Sequence, residues 1–132
     1  MIDIENIVFS TVATALRSEF SGIFVSGETV AAPPVFPAAT LVEMDDSVYE
    51  KTMDSTRTEN HALKLYQADT YSNKASGRKS ECKKIMAEID AQMTAMGFVR
   101  VGNSPGVDQS NYYRQIARYR GVVSRDNLVY RR

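Results

Sequence analysis

The stretch ECKKIMAEIDAQMTAMGFVRV, residues 81–101, decides how the rest of the chain can fold. Its apolar residues recur at i, i+3, i+4, i+7, i+11 and i+14, which is the spacing of one face of an α-helix. The residues that share this face are Cys82, Ile85, Met86, Ile89, Met93 and Met96. Gly97 stands where a helix C-cap is expected, and residues 98–101 have strand composition. The stretch therefore predicts a long amphipathic helix that leads directly into a strand.

The sequence before this helix predicts one further helix and two or three strands. Residues 3–20 have apolar residues at helical spacing and predict a first helix that ends near Gly22. Its apolar residues are Ile4, Ile7, Val8, Phe9, Val12, Leu16 and Phe20. Residues 22–30 indicate a short strand broken at Gly27, and three prolines at 33–37 exclude helix and lead into a strand at 39–45. Residues 61–71 alternate as a strand does.

Residues 45–60, DDSVYEKTMDSTRTEN, are polar and lack clear periodicity, so we expect a protruding loop or long hairpin there. After the long helix, GNSPG is turn material and YYRQIARYRGVV alternates as a strand. The tail SRDNLVYRR either adds an edge strand or stays mobile. We predict a single α+β domain over residues 1–132. Its mixed, mostly antiparallel sheet of four to five strands is packed by the N-terminal helix and the long central helix.

The charge of the chain is balanced overall but unevenly distributed. Residues 1–66 have a net charge of −6 and residues 67–132 a net charge of +6. This asymmetry suits a molecule that binds copies of itself or an acidic partner, while the alternative is a lysine-rich helix facing solvent. A single cysteine excludes an internal disulfide, and no apolar run has the length of a membrane span. We expect no membrane association.

No catalytic, cofactor-binding or metal-binding residues are predicted. The segment SGRKS at 76–80 lacks the earlier glycine of a phosphate-binding loop, and Ser76 or Ser80 as helix N-cap explains it better. Cys82 lies on the apolar helix face, and nothing in the sequence brings His61 to it. The acids of EMDD at 43–46 lack the spacing of a calcium loop. We expect a protein that is not an enzyme and needs no cofactor.

The most unusual feature is the last predicted strand, in which arginines on one face are interleaved with tyrosines. Arginine and tyrosine are enriched at protein interfaces, and together they also form nucleic-acid-binding surfaces. The third interpretation is that this face of the strand is simply exposed to solvent. The candidate interface residues, on this strand and in the charged excursion, are Tyr112, Arg114, Arg118, Arg120, Asp45, Asp46, Tyr49 and Arg57.

The order of these elements resembles the tail terminator, or tail completion, proteins of long-tailed bacteriophages. The resemblance covers most of the chain. Its main pieces are VFPAATLVEMDD, the strand ending YQADTYSNK, the step GRKSECKKIMAEIDAQMTAMGFVR and the closing Tyr/Arg-rich strand. These motifs specify backbone turns and not chemistry.

The resemblance implies a structural virion protein whose copies form a ring, expected to be hexameric. The ring would cap the tail tube, end tail polymerisation and provide the joint to the head. Its partners would be further copies, the tail tube protein and a head–neck connector, with genomic DNA only passing through the ring. It would act at the head–tail junction of the virion, after assembly in the bacterial host cytoplasm. The alternatives are a neck or head-completion protein of the same particle and a small basic nucleic-acid-binding module.

Overall fold

The computed structural model describes residues 3–28, 33–48, 61–103, 106–108 and 111–124. This part of the chain contains two helices and six strands. In chain order they are α1 (Glu5–Glu19), β1 (Phe24–Ser26), β2 (Ala38–Val48), β3 (His61–Ser72), α2 (Arg78–Met96), β4 (Val99–Asn103), β5 (Val107–Asp108) and β6 (Tyr113–Ser124). The α+β class and both helices are as predicted.

The strands form one sheet in the order β1-β2-β3-β6-β4, and the two-residue β5 also pairs with β6. Only β1 and β2 run parallel, so the sheet is mixed and mostly antiparallel, which confirms the sequence prediction. Strands β2 and β3 pair from Ala38 with Tyr71 out to Val48 with Ala62. Residues 45–48 therefore belong to a strand of this hairpin and not to a loop, while residues 49–60 lie outside the described residues, as does the tail from residue 125.

A β-bulge interrupts β2. Glu43 pairs with Tyr66 and Asp45 pairs with Leu65, so that Met44 is one extra residue opposite a continuous β3. A bulge of this kind shifts the alternation of side chains by one position. Asp45 consequently lies on the opposite face of the sheet from Glu43.

Both helices contribute to a single core against one face of the sheet. The long helix α2 buries the predicted stripe, with Ile85, Ile89 and Met93 inaccessible to solvent. The sheet side of this core includes Ala62, Tyr66, Ala68, Ala117, Tyr119 and Val123, and α1 adds Ile4, Val8, Val12 and Leu16. Ile7 was predicted on the same apolar face, but it is 56% exposed. The buried stripe of α1 is narrower than its apolar residues suggest.

The two ends of α2 are set by glycines. Gly77 is the N-cap residue with φ +84°, and no side chain caps the helix, so the prediction that Ser76 or Ser80 caps it is wrong. The chain turns here in the left-handed conformation that glycine adopts without steric cost. Gly97, with φ +102°, ends the helix as predicted, and the Phe98 N–H donates to the Met93 carbonyl at 2.9 Å.

Candidate interaction surface on the open sheet face

One face of the sheet has no helix over it in the described part of the chain. We call it the open face. Because strand residues alternate between faces, it carries the β6 residues Arg114, Ile116, Arg118, Arg120 and Val122 and the β3 residues Leu63, Leu65, Gln67, Asp69 and Tyr71. The alternation in β6 is the predicted one, since the residues between the arginines belong to the core.

Arg114 is tied to a buried carboxylate on the neighbouring strand. Asp69 is only 4% exposed, and its Oδ2 accepts hydrogen bonds from Arg114 Nε at 2.9 Å and from Arg114 Nη2. The Tyr71 hydroxyl donates to the same oxygen at 3.2 Å, and Gln67 Nε2 donates to Asp69 Oδ1 at 3.1 Å. Arg114 therefore links β6 to β3, and its role in partner binding stays a prediction.

Aromatic rings cover this end of the open face, which we call the covered end. The Tyr112 ring lies 5.6 Å from Phe36 and 5.7 Å from Tyr71, and the Arg114 guanidinium lies 5.7 Å from the centre of the Tyr71 ring. Burial and the neighbouring Asp69 carboxylate raise the pKa of Tyr71 to about 12. Burial acts to lower the pKa of Arg114, but its hydrogen bonds and attraction to Asp69 outweigh this and raise it. The covered end is held together from within the chain.

The other end of the open face, which we call the free end, presents exposed charge and aliphatic groups. Arg118 and Arg120 are both exposed. Arg118 Nε donates to Gln67 Oε1 at 3.2 Å, and Arg120 makes no side-chain hydrogen bond or ion pair within the described residues. On β4, the strand beside Arg120, Val99 is 58% exposed.

The two acidic candidates pair with successive residues of β3. Asp45 is exposed and pairs with Leu65 on the open face, whereas Asp46 pairs with Lys64. Tyr49 and Arg57 lie outside the described residues. The structure therefore brings together on the open face Asp45, Tyr112, Arg114, Arg118 and Arg120, with Tyr112 and Arg114 at the covered end.

A second buried ion pair lies on the helix-covered face. The Lys64 side chain is 1% exposed, and its Nζ lies 3.4 Å from Glu43 Oε1. The Tyr66 hydroxyl donates to the same oxygen at 3.3 Å, and burial together with Glu43 raises the pKa of Tyr66. Sequence reasoning missed this pair, because a lysine within an alternating strand is normally assigned to solvent. The pair links β2 at the bulge to the central strand.

The two candidates for nucleophilic chemistry are far apart. The Cys82 Sγ lies 3.6 Å from the Thr70 carbonyl oxygen, and burial raises the pKa of this thiol to about 11. His61 lies nine residues before Thr70 on β3, which is about 30 Å of extended chain. A buried thiol whose pKa is raised is not an activated nucleophile.

Two further features of the described residues bear on function. Among them, no group of three His, Cys, Asp or Glu side chains is placed to hold a metal ion. No helix in this part of the chain is long and apolar enough to cross a membrane. Arginine is enriched at protein interfaces, and on the open face the exposed Arg118 and Arg120 lie near the exposed Val99. No protein-family model matches the sequence, and no curated protein matches it.

Proposed function

We propose that this chain is a structural assembly protein of a long-tailed bacteriophage. Six copies of it form a ring on the end of the tail tube. The ring ends tube polymerisation and joins the tail to the head through a neck connector. The protein acts by binding and not by catalysis, and it works without a cofactor. Its place is the head–tail junction of the virion, assembled in the cytoplasm of the host bacterium.

The open face is the observation that carries this proposal. A mixed sheet with both helices on one side leaves the other side available to partners, and its free end combines Arg118 and Arg120 with exposed aliphatic groups. A surface of this composition suits contact with another protein. The element order supports the particular role, because the helix, hairpin, helix and closing Tyr/Arg strand that resemble tail terminators are all present.

The charges on the open face favour a protein partner over a nucleic acid. Nucleic-acid surfaces concentrate uncompensated positive charge along the phosphate backbone. Here Asp69 neutralises Arg114, and Asp45 lies on the same face as Arg120. A neck or head-completion protein would use the same kind of surface, and the choice between it and a terminator depends on which partner binds.

Electron microscopy of the purified protein with the tail tube protein from the same phage genome tests the proposal. We expect tubes that carry a six-fold ring at one end and stop at a defined length. Tubes of unchanged length without a cap, from a protein that instead binds the neck connector, would reassign it to the neck. DNA binding with a steep salt dependence and no effect on tubes would favour the nucleic-acid module.

Arg118→Glu is the variant that examines the surface itself. We expect it to weaken capping at least tenfold while the thermal unfolding curve stays native, because Arg118 is exposed and makes a single hydrogen bond to Gln67. Lys83→Glu is the matched control, since it reverses another exposed charge, on the outer side of α2. Capping and head–tail joining that are unchanged in Arg118→Glu would exclude this part of the open face from the contact.

A further inference from the structure

The free end of the open face contains a row of residues in register across four strands. Asp45 on β2 pairs with Leu65 on β3, Leu65 pairs with Arg120 on β6, and Arg120 pairs with Val99 on β4. The row thus has an acid on one side of an aliphatic centre and a base on the other. Asp45, Arg120 and Val99 are exposed and Leu65 is half-buried.

We propose that two copies of this chain pair through their open faces, around a two-fold axis that runs along β3 beside Leu65. Such an axis places β2 of one copy over β6 of the other at the same height along the strands. Asp45 of each copy then faces Arg120 of the other, and the two Leu65 side chains meet between them. Because the acid of each copy lies opposite the base of the other, the row is complementary to itself, as a two-fold interface requires.

The dimensions of packed sheets fit this pairing. Two sheets pack about 10 Å apart, and an aspartate facing an arginine fills that distance. A second arrangement, with the axis across the strands, would place β6 over β6 and bring Arg118 and Arg120 against their own copies. Repulsion between these like charges disfavours that arrangement.

The covered end leaves room for the pair. Tyr71, beneath its aromatic cover, is six residues from Leu65, which is about 20 Å along the strand. Aligned sheets cross at about 30°, so the two covered ends diverge sideways by about 10 Å at that distance. The contact is therefore confined to the free end. It also brings the exposed Val99 of one copy towards the exposed Met44 of the other.

This pairing goes beyond the ring proposed above and is a separate state of the protein. A two-fold contact closes on itself after two copies, whereas a six-fold ring requires a head-to-tail contact. Pairing covers Arg120 and the surrounding aliphatic surface, which the ring also uses. We therefore expect pairing in molecules that are not part of a ring. The contact is small, and we expect a dissociation constant of about 10–100 μM.

Charge exchange at the two ends of the row tests the pairing on the protein alone. Sedimentation should show the wild-type mass rising from the 14.7 kDa monomer towards twice that value as concentration increases. Asp45→Arg and Arg120→Asp should each weaken pairing at least tenfold, because like charges then face each other at both ends. An equimolar mixture of the two variants restores both complementary contacts and should pair as the wild type does, and so should the double variant.

The controls are Glu19→Lys and Lys83→Glu, which change exposed charges by the same amounts on the helices and should leave pairing unchanged. Native thermal unfolding of each variant excludes misfolding as the cause. A wild type that remains monomeric through the millimolar range, single variants that pair normally, or a mixture that stays monomeric would each overturn the proposal. Tube capping by the wild type, measured in parallel, distinguishes a failure of the pairing from a failure of the ring.

Discussion

Asp69→Asn is the substitution for which the structure gives the sharpest expectation. The change keeps the shape of the side chain and removes the charge that Arg114 binds. Asp69 accepts hydrogen bonds from Arg114, Gln67 and Tyr71, and its side chain is 6% exposed. The loss therefore falls on a carboxylate that water hardly reaches.

The magnitude follows from the exposure of the two partners. Separating a fully buried ion pair costs about 3–5 kcal/mol. Because the Arg114 side chain is 31% exposed and the new amide keeps an acceptor oxygen, we expect a loss of about 2–2.5 kcal/mol in the free energy of unfolding. With an unfolding entropy of about 2.1 cal/mol/K per residue, this lowers the melting temperature by about 8 °C.

Urea and thermal unfolding followed by circular dichroism measure the effect. Asp90→Asn is the comparison, since Asp90 also accepts a hydrogen bond from a tyrosine and lies near an arginine. Its side chain is 36% exposed, however, and its ion pair with Arg100 is 3.5 Å long, so its loss should stay below about 1 kcal/mol. Equal losses for the two variants would refute the argument that burial gives the Asp69 pair its strength.

Three further predictions concern the core, a helix end and the alkaline range. Ile89→Asp should unfold the domain, since it places a carboxylate at a fully buried position, and a native melting curve would show that the helix register is wrong. Gly97→Ala should cost at least about 1 kcal/mol because φ is +102° there, whereas Gly102→Ala, in open space without a positive φ, should be nearly neutral by urea titration. Burial raises the pKa of Cys82 to about 11 and, with Asp69, that of Tyr71 to about 12, so the folded state holds these protons longer than the unfolded chain does. Stability should be complete below about pH 9 and fall as the pH rises towards 12, and urea midpoints that stay constant over this range would contradict the assignment.

The sequence predicted the parts of the fold that depend on periodicity. The stripe from Cys82 to Met93 predicted which face of α2 is buried, and the alternation in β6 predicted which residues share the open face. Both patterns are local, because a helix or strand repeats its own geometry over a few residues. Gly97 was predictable for the same reason, since a glycine directly after a helical pattern commonly ends the helix in the left-handed conformation.

The buried charges could not be predicted, because they depend on which strands pair and in what register. Lys64 and Asp69 belong to one strand whose alternating sequence predicts that one of its faces is exposed to solvent. Each is buried beside an opposite charge from a neighbouring strand, Glu43 for Lys64 and Arg114 for Asp69, which offsets the cost of removing it from water. The row at the free end also depends on strand pairing, since Asp45 and Arg120 are 75 residues apart in the sequence and are brought into one row by their common neighbour Leu65.

Met44, the extra residue in β2, is a position at which one codon can be lost without shifting the register of the strand. Glu43 and Asp46 both pair with residues of the helix-covered face although they are three positions apart, because Met44 stands outside the alternation. Loss of codon 44 would join the two halves of the strand in phase and leave the other residues of β2 in their present register. Loss of codon 42 would either remove the Glu43 carboxylate from Lys64 or turn Leu41 out of the core. Single-codon deletions in this strand should therefore be tolerated at Met44 and be strongly destabilising at codon 42.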